Sequence, residues 1–172
     1  MNLDNQKINF VIIGKPNSGK STLFNRLLQK EISPAGKTYG LTKELFVQKF
    51  TFNKVDFIIH DTPGLRRKSK ISNKDEELRN KKVVNLLKKI DVAVLLIDST
   101  EDMTKQDFKI ADIIMRRKKL LFFVFNKIDI LDDQKEFKKK IKTFLDFRYS
   151  QSNEINKIFI SALSGKNIFD LL

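Results

Sequence analysis

Apolar runs four to seven residues long recur along the chain, separated by stretches whose apolar positions fall three or four apart. KINFVII (7–13), ELFVQKF (44–50), VDFIIH (55–60), VAVLLI (92–97), LLFFVF (120–125) and KIFIS (157–161) read as strands. Helices are predicted from about Gly19 to Gln29, near Asp75 to Lys89, near Lys105 to Arg116 and near Gln134 to Phe147, with a last one starting at Lys166. In the helix after Gln134, Phe137, Ile141 and Phe144 recur at helical spacing and are expected to face the core. Strands alternating with helices imply a parallel sheet covered on both faces, because parallel neighbours need crossover connections. ELFVQKF and VDFIIH, with a turn at Asn53-Lys54, are expected to form one antiparallel hairpin. The predicted class is α/β: a mostly parallel six-stranded sheet with one antiparallel hairpin strand and helices on both faces.

A chain of 172 residues suits one domain with its own core. With no cysteine there is neither a disulfide framework nor a thiolate metal site, which suits a reducing cytosol. The start, MNLDNQKINF, lacks the pattern of a signal peptide, and VAVLLI and LLFFVF are too short to span a bilayer, so a cytoplasmic protein without a membrane role is expected. The final NIFDLL is an apolar helix start with no continuation, and is read as the cut edge of a longer protein with a C-terminal neighbour. Lys and Arg number 34 against 21 acidic residues, a formal charge of +13, as in many nucleic-acid binders. Richness in Lys, Asn, Ile and Phe together can also follow from genomic base composition, so the position of the charge matters more than its sum.

GKPNSGKS, Gly14 to Ser21, follows a predicted strand and opens a predicted helix, the context in which G-x-x-x-x-G-K-[ST] holds phosphate. The backbone N–H groups of Asn17, Ser18, Gly19, Lys20, Ser21 and Thr22 converge on phosphate only if the loop, with Lys15 and Pro16, wraps tightly. Gly14 and Gly19 permit that wrapping, and the helix N-terminus adds positive partial charge. Lys20 is assigned to the β- and γ-phosphates and Ser21 to Mg²⁺, a hard cation that takes oxygen ligands.

Asn126-Lys127-Ile128-Asp129 stands at the end of LLFFVF. A carboxylate at Asp129 can accept two hydrogen bonds from guanine N1–H and N2–H₂, donors that adenine does not offer, so discrimination follows from leaving its lone pairs unmet with the wrong base. Asn126 is assigned to loop orientation and guanine N7, the Lys127 stem to the ring face, and Ala162 of Ser161-Ala162-Leu163 to guanine O6 through its N–H. Between these motifs lies Asp61-Thr62-Pro63-Gly64; Asp61 is expected to hold Mg²⁺ through water and the Gly64 N–H to meet the γ-phosphate.

The ordered set GKPNSGKS, DTPG, NKID resembles that of the Ras-like GTPases of the Era and EngA/Der type over essentially the whole chain. Within that group GKPNSGKSTLFNRLL, DTPGLRRKSKI, VAVLLIDSTEDMTKQD and FISALSGKNIFDLL look most like the second of the two tandem GTPase domains of EngA/Der. The resemblance implies a Ras-like P-loop GTPase domain over residues 1–172, GTP and GDP as ligands, and a role in assembly of the large ribosomal subunit or contact with rRNA. It also implies a companion GTPase domain and a KH-like domain in the full-length protein. Where the family usually has G-T-T-R-D, this chain reads Gly40-Leu41-Thr42-Lys43-Glu44; Thr42 is aligned with the threonine that reaches Mg²⁺ and the γ-phosphate, and Thr38 is its competitor. Lys20, Thr42 and Gly64 are the residues assigned to catalysis. Leu65 stands where Ras-type enzymes place a water-orienting glutamine, so the attack is arranged otherwise. The resemblance suggests K⁺ held by Asn17 as the compensating charge; the alternative is that Asn17 caps the helix or shapes the loop.

Among the basic clusters, Arg66 to Lys70 and Arg79 to Lys82 follow DTPG and are assigned to RNA, whereas those beginning at Arg116 and Lys138 read as solvated helix surface. His60, the one histidine, is read as a packed sheet residue rather than a base. Two alternatives to the ribosome-assembly switch stay open: a nucleotide-sensing module with negligible turnover, and a tRNA-modification-type or other Era-like GTPase.

Overall fold

The computed structural model describes residues 7–29, 47–60, 84–151 and 155–172. In order these form β1 (Lys7–Ile13), α1 (Lys20–Gln29), β2 (Val47–Phe52), β3 (Val55–His60), β4 (Val92–Asp98), α2 (Lys105–Arg116), β5 (Leu120–Asn126), α3 (Gln134–Arg148) and β6 (Asn156–Phe159), with short 3-10 turns at Ile128–Ile130 and Ile168–Leu171. Residues 84–87 are helical as well, ending where the Lys89 N–H donates to the Leu86 carbonyl; the earlier part of that expected helix lies outside the described residues.

The strands make one sheet in the order β2-β3-β1-β4-β5-β6, parallel throughout except for β2 against β3. Asn53 (φ 47) and Lys54 (φ 67) turn that hairpin, both in the left-handed region that a two-residue turn matched to strand twist requires. The tight turn carries the pairing up to Phe52 and Val55, so β2 runs two residues past the expected end of ELFVQKF.

Alternation along β1 divides the core in two. Phe10 and Ile12 pack with Leu23 and Leu27 of α1, while Val11 and Ile13 face the other layer, where Ala111, Ile114 and Leu145 come from α2 and α3. β4 and β5 supply both layers, Val94, Leu96 and Val124 to the first and Leu95, Ile97, Phe123 and Phe125 to the second. Each such side chain, buried completely, contributes roughly 1.5–3 kcal/mol. The uninterrupted apolar runs of β1, β4 and β5 are thus explained by central strands that bury most of their residues toward both layers.

Two expectations need correction. Lys166 starts no α-helix: it bridges Ser161, the Ser161 N–H donating to its carbonyl at 3.1 Å, and Asn167 (φ 57) then turns the chain into the 3-10 segment. On α3, Phe137 and Ile141 pack on the core and Leu145 is fully buried, but Phe144 is half-exposed and leans on Phe108 with ring centres 5.7 Å apart. Leu145, eight residues after Phe137, continues the inward stripe that Phe144 leaves.

β1 lies between β3 and β4, so the chain leaves its C-terminal end toward one half of the sheet and later returns to fill the other. A crevice outside the strand ends opens at such a reversal of strand order, and the loop after β1 lies there.

Candidate functional site

Residues 14–19 carry the chain from the end of β1 to the start of α1. Gly14 lies so close to the Leu96 carbonyl of β4 that a Cβ there would collide with it, and Gly19 (φ 94) lies against the Asn126 amide in the same way. Asn17 is also left-handed, at φ 66. Since α1 begins at Lys20, Asn17 shapes the loop and is not the helix cap. The Lys15 carbonyl is the loop's internal acceptor, taking the Ser18 N–H at 3.4 Å, the Ser18 hydroxyl at 3.0 Å and the Lys20 ammonium. Lys20 is buried and Ser21 and Thr22 are exposed on the first turn of α1.

Asn126 joins this loop to the far side of the site. Its Nδ2 donates to the Ser18 carbonyl at 2.8 Å, and its Oδ1 accepts the Ala162 N–H at 2.8 Å. The N–H that the sequence assigned to guanine O6 therefore serves the Asn126 amide in this arrangement. Arg26 of α1 reaches the same loop, donating to the carbonyls of Ala162, at 3.3 Å, and of Leu163. Ser161 is fully buried and its hydroxyl accepts the Ser164 N–H at 3.0 Å, while Leu163 is exposed.

Lys127, left-handed at φ 67, turns the chain out of β5 into the 3-10 segment. Ile128 is buried, its N–H donating to the Ile160 carbonyl at 3.2 Å, which leaves the next residue, Asp129, exposed. The Lys127 ammonium pairs with Asp98 at the end of β4. Burial pushes the Asp98 carboxyl up, but the hydrogen bonds from Lys127 and from the Thr100 N–H and hydroxyl outweigh it and hold the pKa below the ordinary carboxylate value.

The structure thus brings together Gly14, Lys15, Pro16, Asn17, Ser18, Gly19, Lys20, Ser21 and Thr22 with Asn126, Lys127, Ile128, Asp129, Ser161, Ala162 and Leu163. Thr38, Thr42, Asp61, Thr62, Pro63, Gly64, Leu65 and the basic clusters at 66–70 and 79–82 lie outside the described residues. His60, at the end of β3, is buried, with Nε2 3.2 Å from Asn9 Oδ1. Burial first and Lys89 second lower its pKa, Asp91 opposing, which keeps the ring neutral and fits a packed sheet residue. The basic stretches at Arg116 and Lys138 end α2 and lie along α3, where the Lys138 ammonium stands 5.5 Å over the Phe159 ring.

Sequence reasoning gave no role to Arg26, Asp98 or Asp107. Asp107 is buried in the first turn of α2, where its Oδ2 accepts the Thr104 N–H at 2.7 Å and hydroxyl at 2.8 Å and meets the Lys15 ammonium at 3.1 Å. The spacing of Thr104 and Asp107 is a helix-start signature visible in the sequence, although the lysine it receives is not.

Residues 9–127 match the family model described as 50S ribosome-binding GTPase. GTPase Der of Thermosipho africanus is 39% identical over 164 residues, covering 93% of this chain and 37% of that protein. GTPase Der of Hyphomonas neptunium is 32% identical, with 96% and 32% covered, so the chain spans about a third of the length of these curated relatives. Among solved structures, a variant of Aquifex aeolicus Era bound to GDP and AlF4⁻ is similar with a TM-score of 0.71 at 30% identity, over 97% of this chain and 55% of that one. Era in complex with MgGDPNP and nucleotides 1506–1542 of 16S ribosomal RNA gives 0.69 at 30% identity, over 96% and 54%. The G domain of the Thermotoga maritima FeoB iron transporter, at 23% identity and a TM-score of 0.64, shares the fold. The match to the family model covers well over half of the chain, and with the phosphate loop, the sheet order and the Asn126 bridge on the same residues, the chain belongs to the family of 50S ribosome-binding GTPases.

Proposed function

We propose that this chain is a GTPase domain, spanning residues 1–172 of a longer protein, that hydrolyses GTP as a switch in assembly of the large ribosomal subunit in the cytoplasm. The observation that carries the reading is the Asn126 side chain, which fastens the phosphate loop to the Ala162 loop and sets Asp129 at the exposed rim beside them. That arrangement suits a guanine nucleotide: Asp129 accepts from N1–H and N2–H₂, and the stem of Lys127 covers the ring. The loop N–H groups and Lys20 face the phosphates, where they offset charge that grows as the γ-phosphoryl group departs. A Cβ at Gly14 or Gly19 would strike the Leu96 carbonyl or the Asn126 amide, so the loop keeps its close seat against β4 and β5 only with glycine at both positions.

Mg²⁺ suits the exposed Ser21 hydroxyl on the first turn of α1, and Thr42 and, through water, Asp61, both outside the described residues, are proposed as its other ligands; among the described residues no group of three or more acidic, His or Cys side chains offers a rival site. When bound it supplies positive charge to the phosphate oxygens. K⁺ at Asn17 is proposed as the compensating charge between the β- and γ-phosphates, supported by the exposed, left-handed position of that residue on the phosphate loop. The Gly64 N–H would sense the γ-phosphate, and the basic residues 66–70 and 79–82 would pass that state to rRNA. No described helix is long and apolar enough to cross a membrane. The relatives' extra length leaves room for a companion GTPase domain and a KH-like domain.

Calorimetric titration tests the core of the reading: GTP and GDP should bind at least ~100-fold more tightly than ATP, and equal affinity for ATP refutes it. Single-turnover hydrolysis should rise when Na⁺ is replaced by K⁺. An unchanged rate removes the Asn17 assignment.

A further inference from the structure

The phosphate loop carries two lysines, and only Lys20 is directed along its inner side. The Lys15 ammonium lies 3.1 Å from Asp107 Oδ2, 3.3 Å from the Asp102 carbonyl and 3.9 Å from Glu101, all on the segment that leads into α2. Asp107 is almost wholly buried and its two remaining neighbours at Oδ2 are the Thr104 N–H and hydroxyl. Charge on a buried carboxylate needs a cation close by, so Asp107 demands Lys15 more than Lys15, a quarter exposed, demands Asp107. The main chain of the same residue faces the other way: its carbonyl holds Ser18 and the Lys20 ammonium.

We propose that Lys15 is a positioning residue: its ion pair with Asp107 fixes the phosphate loop against the N-terminus of α2, and thereby sets how long a guanine nucleotide stays bound. The inference rests on the nucleotide-binding reading above and gives α2 a path to that site. Anything that moves the first turn of α2 pulls on Lys15, and through its carbonyl on Ser18 and Lys20. Nothing in this requires Lys15 to touch phosphate.

The test is the dissociation rate of a fluorescent GDP from the wild type, Lys15→Met, Lys15→Arg, Asp107→Asn and the Lys15→Met/Asp107→Asn double variant, with melting temperatures measured in parallel. Asparagine keeps an acceptor for the Thr104 N–H while removing the charge. Each neutralising single variant should release GDP about 10-fold faster, the double no faster than about either single, and Lys15→Arg within about 2-fold of wild type. Effects that multiply in the double variant, or an Asp107→Asn protein whose release rate is unchanged, overturn the proposal. Should Asp107→Asn fail to fold, Lys15→Met against Lys15→Arg still decides, equal release rates for the two overturning it. Failure of the wild type itself to bind GDP would instead refute the nucleotide reading.

Discussion

Gly14 and Gly19 shape the phosphate loop by lacking side chains, whereas Asn126 and Ser161 shape the base-side loops by filling polar positions with buried hydrogen bonds. The first region fails by collision and the second by loss of partners, so they should differ in how substitutions damage them. They meet at the Asn126 amide, which donates to the Ser18 carbonyl and stands where a Cβ on Gly19 would fall.

Gly19→Ala sharpens that contrast most. An alanine would have to hold φ near 94 and press its Cβ into Asn126, so nucleotide binding should be lost, falling by ~100-fold or more in titration. Asn126→Ala comes next: it leaves the Ser18 carbonyl and the Ala162 N–H unpartnered and should cost about 2–4 kcal/mol in denaturant unfolding. Asp129→Ala, on an exposed residue, should leave stability within about 0.5 kcal/mol but reduce the preference for GTP over ATP by ~100-fold. The pH effect is smaller. Because the Asp98 carboxyl sits below its ordinary pKa when folded, its pairing stabilises fully above that ordinary value and is lost as pH falls through the lowered one. Replacing Lys127 by Met should therefore flatten the acid side of a stability curve taken from about pH 5 to pH 2, by less than about 1 kcal/mol.

The same contrast explains what could be read from the sequence. A loop made of backbone demands glycine at fixed spacing, so GKPNSGKS announces itself, and apolar strands covered on both faces need no partner to be recognised. NKID is legible at the end of β5 for the chemistry of its aspartate. Long-range partners were hidden: Arg26 meets Ala162 136 residues away, Lys15 meets Asp107, and Lys127 meets Asp98, pairings that no local pattern encodes. NIFDLL begins its helical turn at Ile168 rather than at Lys166, because Lys166 is held in the bridge to Ser161 and Asn167 is left-handed. Phe144 misled because apolar spacing alone cannot tell a core position from the rim beside another helix.

The β2–β3 hairpin holds reserve of another kind. Lys54 sits in a left-handed position for which glycine is the better residue, exposed and beside the start of β1, whereas the phosphate loop follows the end of that strand. Lys54→Gly should raise the melting temperature by a few degrees, corresponding to about 1 kcal/mol, and leave GDP affinity as it was. A protein hardened there would tolerate the disabling substitutions that the site requires for its study, which makes a remote turn a practical handle on the chemistry.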